Sequence, residues 1–290
     1  MNSTKNLLFA AGLILAFLIS FSPQASGQTY PEKPITMYCG YEAGASTDVT
    51  ARALAEGAEK LLGVPVVVEN KAGGGATVAA GLVASKKPDG YTLGVISTGA
   101  LTVRPHLFKV AFNPLQDFTV ICNYSRYIGG LCVLKESPIK TIDEFMAYAK
   151  ANPGLSYGSP GMYTQQHLGV ELLAQCKGLT FKHVPFKGGA PANTLYVKQG
   201  VFRMLLIYNA EKRDPNYPDI PILKELGCQD APALGYILVG PKGISDAISK
   251  KLGETFKKVA DGPAFQKVLA SFDLPFDYRD REHMEKEVPA

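Results

Sequence analysis

The sequence has little of what several classes of protein require. Its 30 Lys and Arg residues are scattered and leave a formal net charge of only +4, whereas a nucleic-acid surface needs clustered basic residues with stacking aromatics. No CxxC pair or HExxH motif is present to bind a metal ion. The glycines at 72–76 (AGGGA) fit neither GxGxxG nor the P-loop pattern, and Ser159 lacks the glycine that GxSxG places two residues earlier. We therefore expect no nucleic-acid partner, no metal and no cofactor.

Cysteines are few and odd in number. The five are Cys39, Cys122, Cys132, Cys176 and Cys228, so at least one is unpaired in an exported chain. Cys122 and Cys132 could form a disulfide across two strands. The alternative is that most of the cysteines are small, buried apolar residues.

Long apolar runs are missing beyond the N-terminus. Lys5 precedes an apolar stretch from Leu7 to Phe21, and small residues follow up to Gly27, which is typical of an export signal. No later stretch approaches the ~20 apolar residues of a membrane-spanning helix. We predict cleavage near Gly27 and a mature protein outside the inner membrane, with an uncleaved anchor as the alternative. The remaining residues, about 260, suffice for one large or two medium α/β domains.

The most informative motif is YEAGASTD, from Tyr41 to Asp48. It lies between a predicted strand, Ile35–Cys39, and a predicted amphipathic helix that begins between Thr47 and Val49 and ends at Leu62. A glycine-bearing turn from strand to helix exposes unpaired N–H groups at the positive end of the helix dipole, where a carboxylate or phosphate can bind. The alternative is that Thr47 or Asp48 only caps the helix.

Strands and helices alternate along the rest of the chain. Strands are predicted at 64–69, 91–97, 155–158, 181–185, 204–208 and 237–239, and helices at 76–85, from Thr141 to about 152, around His167, from Pro191 and from Ser245. Thr141 and Glu144 form a capping-box pattern. The alternation predicts parallel sheets with crossover helices, in which ligands bind beyond the carboxyl ends of the strands. Both YEAGASTD and STGA, residues 97–100, fall at that edge. Two such units with glycine and hydroxyl turns indicate two lobes that close on a ligand.

Six ordered blocks carry a resemblance to a known family. They are YPEKPIT, AGASTDVTARALAEGAEKLLGVPVVVENKAGGGATVAA, KKPDGYTLGVI, SYGSPGMYTQQHLGVELL, HVPFKGGAPA and YPDIPILKELG. Together they resemble the Bug-type solute-binding proteins of tripartite tricarboxylate transporters over most of residues 30–270. The resemblance implies an α/β, two-lobed type II periplasmic binding fold, in which each lobe is a sheet flanked by helices and the ligand cleft lies between the lobes. It also implies a periplasmic, monomeric protein that delivers a small carboxylate or an amino acid to a membrane carrier.

The resemblance assigns residues to the lobes and to the site. Lobe I would comprise 28–122 and 237–290, and lobe II 123–236, after a signal peptide at 1–27. In lobe I the family's binding loop falls on Tyr41 to Asp48, with Asp48 orienting water or a ligand group. The expected ligand-binding residues are Tyr41, Ala45, Ser46, Thr47, Asp48, Ser97, Thr98, Ala100, Ser159, Pro160, Gly161, Thr164, His167, Lys187, Gly188 and Gly189.

Several alternatives stay open at this point. Lys187 either pairs with a carboxylate or is structural, and His167 either contacts the ligand or locks its helix to a strand. Tyr208 and Asn209, at a strand end, are further candidates for the cleft. The chain departs from the family pattern because lobe II is shortened by roughly two dozen residues near 190–205. A binding protein that docks on a membrane sensor kinase, or a secreted enzyme of unrecognised type, are the alternative functions.

Overall fold

The computed structural model of the chain describes residues 30–159, 161–185, 200–210, 212–229, 231, 235–272 and 274–287. Contacts divide the chain into two units, Met1–Glu32 and Lys33–Ala290. Of the first unit only residues 30–32 are described, and the predicted export signal at 1–27 lies outside the described residues.

The second unit is built from alternating strands and helices. In chain order these are β1 (Ile35–Cys39), α1 (Ser46–Leu62), β2 (Val66–Asn70), α2 (Thr77–Ala84), β3 (Thr92–Ser97), α3 (Gly99–Thr102), β4 (Phe118–Arg126), β5 (Gly130–Leu134), α4 (Ile142–Ala151), β6 (Leu155–Ser159), α5 (Gln165–Lys177), β7 (Phe181–Pro185), β8 (Phe202–Ile207), β9 (Gly235–Pro241), α6 (Asp246–Asp261), α7 (Pro263–Ser271), β10 (Phe276–Asp280) and α8 (Arg281–Glu287). Short 3-10 turns lie at Gly74–Ala76, Arg104–His106 and Leu223–Leu226. The α/β class predicted from the sequence is confirmed.

A six-stranded main sheet has the order β10-β4-β9-β3-β1-β2. β1 pairs in parallel with both β2 and β3, as the alternation of strands and helices predicts. β9 pairs antiparallel with β3 and β4, and β10 pairs antiparallel with β4. The parallel pairing predicted from the alternating strands and helices is therefore confirmed for β1, β2 and β3. The antiparallel pairs are made by β9 and β10, which return from late in the sequence rather than through local crossover helices.

The apolar pattern of β1 and α1 explains how they pack. Ile35, Met37 and Cys39 alternate along β1 and are fully buried, while α1 buries one side, including Leu54 and Ala58. α1 ends at Gly63, whose φ of 74° is the left-handed conformation that glycine adopts without strain. The start of α1 is thus held against the carboxyl end of β1.

A second region is formed by two two-stranded sheets, β5-β8 and β6-β7. Phe145 of α4, Leu173 of α5 and Leu206 of β8 share one buried cluster, against which Tyr157 of β6 packs. The capping box predicted at the start of α4 is confirmed, because the Thr141 side chain accepts from Glu144 N and the Glu144 side chain accepts from Thr141 N. The helix predicted from Pro191 lies outside the described residues.

The disulfide differs from the one considered from the sequence. Cys122 and Cys132 are free thiols, and the bridge joins Cys176 to Cys228 instead. Cys122 lies on β4 of the main sheet, whereas Cys132 lies on β5, which pairs with β8. The observed bridge ties the end of α5 to the segment that follows the turn at Leu223–Leu226, a contact between parts of the chain 52 residues apart.

Candidate functional site

Two of the predicted binding segments meet at the carboxyl ends of β1 and β3. These strands are parallel neighbours, so the loop after β1 and the start of α3 lie at the same edge of the main sheet. The Tyr41 hydroxyl donates to Ser97 Oγ at 2.8 Å and connects the two segments directly. Their predicted proximity is confirmed.

The N-terminus of α1 carries N–H groups from which no described residue accepts a hydrogen bond. Its N-cap, Ala45, is extended (φ −68°, ψ 157°) and has no side chain that could cap the helix. The first bond back to the cap is from Val49 N to Ala45 O, and the N–H groups of Ser46, Thr47 and Asp48 have no acceptor among the described residues. The alternative in which Thr47 or Asp48 is the N-cap is wrong, because the helix begins at Ser46. The described contacts therefore leave these donors available to an anion at the positive end of the dipole.

The hydroxyl groups near this terminus are bonded to the sheet. Ser46 Oγ lies 2.7 Å from the Tyr236 hydroxyl of β9, and Thr50 Oγ1 lies 3.0 Å from the Tyr124 hydroxyl of β4. The rings of Tyr124 and Tyr236 stack, with centroids 5.6 Å apart. Because these side chains fix the first turn of α1 to β4 and β9, Ser46 offers its backbone rather than its side chain to a ligand.

Asp48 is buried and fully engaged with its own loop. Its side chain is only 4% exposed, and its carboxylate accepts from Gly44 N at 2.9 Å, from Asn70 Nδ2 at 2.8 Å and from Arg52 Nε at 3.1 Å. Burial raises the pKa of this carboxyl, but the bonds from Arg52, Gly44 and Asn70 and the charge of Arg52 outweigh burial and lower it. Asn70 Nδ2 also donates to Tyr41 O, so the ionised carboxylate joins both ends of the YEAGASTD loop to β2.

Thr98 and Ala100 contribute to the frame of the site. The Thr98 N–H donates to Gly235 O at 3.0 Å, and Thr98 Oγ1 accepts from Gly235 N at 2.9 Å. Ala100 is fully buried in the core cluster beside α2. The side chains in this segment therefore fasten β3 to β9, and neither hydroxyl of Ser97 and Thr98 is without a protein partner.

The predicted turn of the second region lies between β6 and α5. Ser159 Oγ donates to Gly161 O at 2.8 Å and lies 2.6 Å from His183 Nε2. Thr164 is the N-cap of α5: its Oγ1 donates to Gly161 O and accepts from His167 N. These hydroxyls organise the turn itself. Four of the predicted residues, Pro160, Lys187, Gly188 and Gly189, lie outside the described residues.

His167 makes the contacts expected of a structural histidine. Its Nδ1 accepts from Tyr163 N at 2.9 Å, and its ring stacks on His183 of β7 with centroids 4.0 Å apart. Burial, together with the neighbouring His183, lowers the pKa of His167, while Glu171 opposes this. A neutral imidazole that accepts from the backbone fits the alternative in which His167 locks α5 to its strand.

Asn209 and Tyr208, the further candidates for the cleft, hydrogen-bond the segment between β4 and β5. Asn209 Nδ2 donates to Tyr127 O at 2.7 Å, and its Oδ1 accepts from Gly129 N at 3.1 Å. Tyr208 is buried, and its N–H donates to Gly129 O. Asn209 thus braces the segment that leads from β4 to β5.

The residue that sequence reasoning missed is Arg104, in the 3-10 turn after α3. Its Nη2 donates to Met162 O, at 3.1 Å, in the turn between β6 and α5. Phe108, whose ring faces the Arg104 guanidinium, lies 5.7 Å from the Tyr163 ring. Arg104 lies outside all six resemblance blocks, and the only sequence signal for it is a cation a few residues after STGA.

The described residues include no group of three His, Cys, Asp or Glu side chains arranged to hold a metal ion. None of the helices in that part of the chain is long and apolar enough to cross a membrane.

Comparison with known proteins gives one consistent result. A sequence model described as "Tripartite tricarboxylate transporter family receptor" matches residues 50–195 and 190–288. A UPF0065 protein in the gbd 5' region of Cupriavidus necator is 41% identical over 283 aligned residues, covering 91% of this chain and 86% of that protein.

Solved structures show the same fold. The periplasmic binding protein BugD is 27% identical, with a TM-score of 0.79 over 90% of this chain and 94% of that one. MatC from Rhodopseudomonas palustris, solved with bound malate, is 26% identical, with a TM-score of 0.75 over 85% of this chain and 91% of that one. The predicted type II periplasmic binding fold is thereby confirmed. The matched family is one of receptors and BugD is a periplasmic binding protein, in agreement with the preferred function rather than with the enzyme alternative. The chain belongs to the receptor family of the tripartite tricarboxylate transporters, as a Bug-type solute-binding protein.

Proposed function

We propose that this receptor captures a small carboxylate in the periplasm and delivers it, as a monomer, to the membrane components of a tripartite tricarboxylate transporter. The observation that carries the proposal is the set of unused N–H groups at Ser46 and Thr47, on a helix terminus held rigidly by surrounding side chains. A carboxylate there would accept charge-assisted hydrogen bonds at the positive end of α1. The malate bound by MatC supports this class of ligand.

In this proposal the ligand binds between two lobes. Lobe I comprises residues 28–122 and 237–290, and lobe II residues 123–236. One boundary falls within β4 and the other within β9. The turn at Ser159–Thr164 and the segment at Lys187–Gly189 would face the ligand from lobe II. Ligand contacts from both lobes favour the closed arrangement, so capture requires no chemical step.

The shortened stretch of lobe II stays part of the proposal. It was predicted near 190–205, of which residues 190–199 lie outside the described part of the chain. The family match supports it by dividing in the same stretch, where its two segments, 50–195 and 190–288, overlap at residues 190–195. Signal-peptide cleavage near Gly27 completes the proposed route to the periplasm.

A thermal-shift screen of mono-, di- and tricarboxylates, amino acids and aromatic acids tests this function. We expect at least one carboxylate to raise the melting temperature, with an affinity in the micromolar range or tighter because the donors are preorganised. Binding is then measured by calorimetry on the exported protein. If the folded protein binds no carboxylate in the screen, the proposed function is wrong.

Replacing Ser46 by Pro isolates the backbone donor. Ser46 is the first helical residue, where proline is tolerated, and the extended conformation of Ala45 suits a residue that precedes proline. The matched control, Ser46→Ala, removes the contact with Tyr236 but keeps the N–H. We expect Ser46→Pro to bind the carboxylate about tenfold more weakly than Ser46→Ala, with equal helix content by circular dichroism. Equal affinities of the two variants would exclude the Ser46 N–H from the site.

Asp48 provides a pH-dependent test of the loop. Because its pKa is lowered in the folded state, its stabilising contribution is present above the unfolded pKa of about 3.9 and is lost as the pH falls through the folded value. We expect Asp48→Asn to lower the free energy of unfolding by about 1–3 kcal/mol at neutral pH, and the difference from the parent to shrink in acid.

Urea denaturation over a pH series measures this difference. The control is Asp246→Asn, since the Asp246 side chain is 95% exposed and its ion pair with Arg281 should contribute under about 1 kcal/mol. A difference between Asp48→Asn and the parent that does not change with pH would contradict the assigned role of the carboxylate.

A further inference from the structure

Arg104 occupies an unusual place for a charged side chain. It follows α3, on the main-sheet side, yet donates to Met162 O in the turn that precedes α5. Its guanidinium carbon lies 5.5 Å from the centre of the Phe108 ring, which in turn packs edge-on against Tyr163. The Arg104 side chain therefore reaches from the main-sheet side to the turn before α5, which we assign to lobe II.

The turn at Gly74–Ala76 makes room for this side chain. At Gly75, φ is +63°, and a Cβ atom added there would lie only 2.5 Å from Arg104 Nη2. Any residue with a side chain would therefore displace the guanidinium. The AGGGA segment, which fits no nucleotide-binding motif, supplies the space in which Arg104 lies.

Arg104 also lies within electrostatic range of the binding loop of the main sheet. Burial raises the pKa of the Tyr41 phenol, and the positive charge of Arg104 acts in the opposite direction. Tyr41 donates to Ser97 at the same sheet edge as the start of α1. The geometry agrees, because a Cβ atom added at Gly40, the residue before Tyr41, would clash with Ala76 Cβ in the same turn that contacts Arg104.

The charge of Arg104 is not matched within the described part of the chain. Nη2 donates to a neutral carbonyl, and no carboxylate there forms an ion pair with the guanidinium. The other cations near this edge differ in this respect, because Arg52 is paired with Asp48 and Lys71 with Glu69. An arginine presents five N–H donors in a planar fork that matches a carboxylate.

We propose that Arg104 binds the second carboxylate of the ligand and makes this receptor selective for dicarboxylates over monocarboxylates of the same length. This rests on the proposed function, in which the first carboxylate binds at the N-terminus of α1. Arg104 pairs with the distal carboxylate and keeps its bond to Met162 O. Only a ligand with two carboxylates therefore contacts both the N-terminus of α1 and Arg104.

Calorimetric titration with matched acids tests the proposal. The probes are succinate, glutarate and adipate, each compared with the monocarboxylate of equal carbon number, namely butyrate, valerate and hexanoate. We expect the parent to prefer at least one dicarboxylate. We expect Arg104→Gln to weaken the binding of that dicarboxylate about 10- to 100-fold and of its monocarboxylate less than about threefold. Arg104→Lys keeps the positive charge but not the planar guanidinium. Its affinity for the dicarboxylate should lie between those of the parent and Arg104→Gln.

Arg213→Gln is the matched control, because it removes the same charge from a surface ion pair with Glu225 and should bind like the parent. Melting temperatures establish that each variant is folded. A parent without preference, or an Arg104→Gln variant that keeps its preference or loses both acids equally, would overturn the proposal while carboxylate capture stands. If the parent binds no carboxylate at all, the proposed function fails and this inference fails with it.

Discussion

The site depends on the hydrogen bonds of the Asp48 carboxylate. This one buried group joins the glycine turn at Gly44, the first turns of α1 through Arg52, and the end of β2 through Asn70. A buried carboxylate is stable only when its oxygens are satisfied, and here all the donors come from the protein. The negative charge of Asp48 therefore stabilises the loop through these hydrogen bonds. The N–H groups at the start of α1 still present a positive end to an incoming anion.

The side chains and the backbone of this site have separate roles. The hydroxyls of Ser46 and Thr98 bond to β9 and that of Ser97 bonds to Tyr41, whereas the N–H groups at the start of α1 have no acceptor among the described residues. Backbone donors on a fixed helix terminus lose little freedom when a ligand binds. In the proposed binding mode, these neutral donors accept a carboxylate without the cost of burying a dedicated cation, and Arg104 would add a charge for the second acidic end of the ligand.

Local signals in the sequence predicted the local structure well. The strand at Ile35–Cys39, the helix after the glycine turn and the capping box at Thr141 all depend on residues close in sequence, and all three are confirmed, with the helix beginning at Ser46. The Cys176–Cys228 bridge, the antiparallel return of β9 and the reach of Arg104 to Met162 were not predicted, because each joins residues far apart in the chain. The hydrogen bond from Asn70 to Asp48 was not predicted for the same reason, because 22 residues separate the two.

The most direct test of the account is a crystal structure with the carboxylate that most raises the melting temperature. The account predicts one carboxylate group of the ligand within about 3.2 Å of Ser46 N or Thr47 N, with Asp48 still bonded to Gly44 and Asn70. A ligand bound without any contact to the start of α1, or one that takes Asp48 as its direct partner, would contradict it.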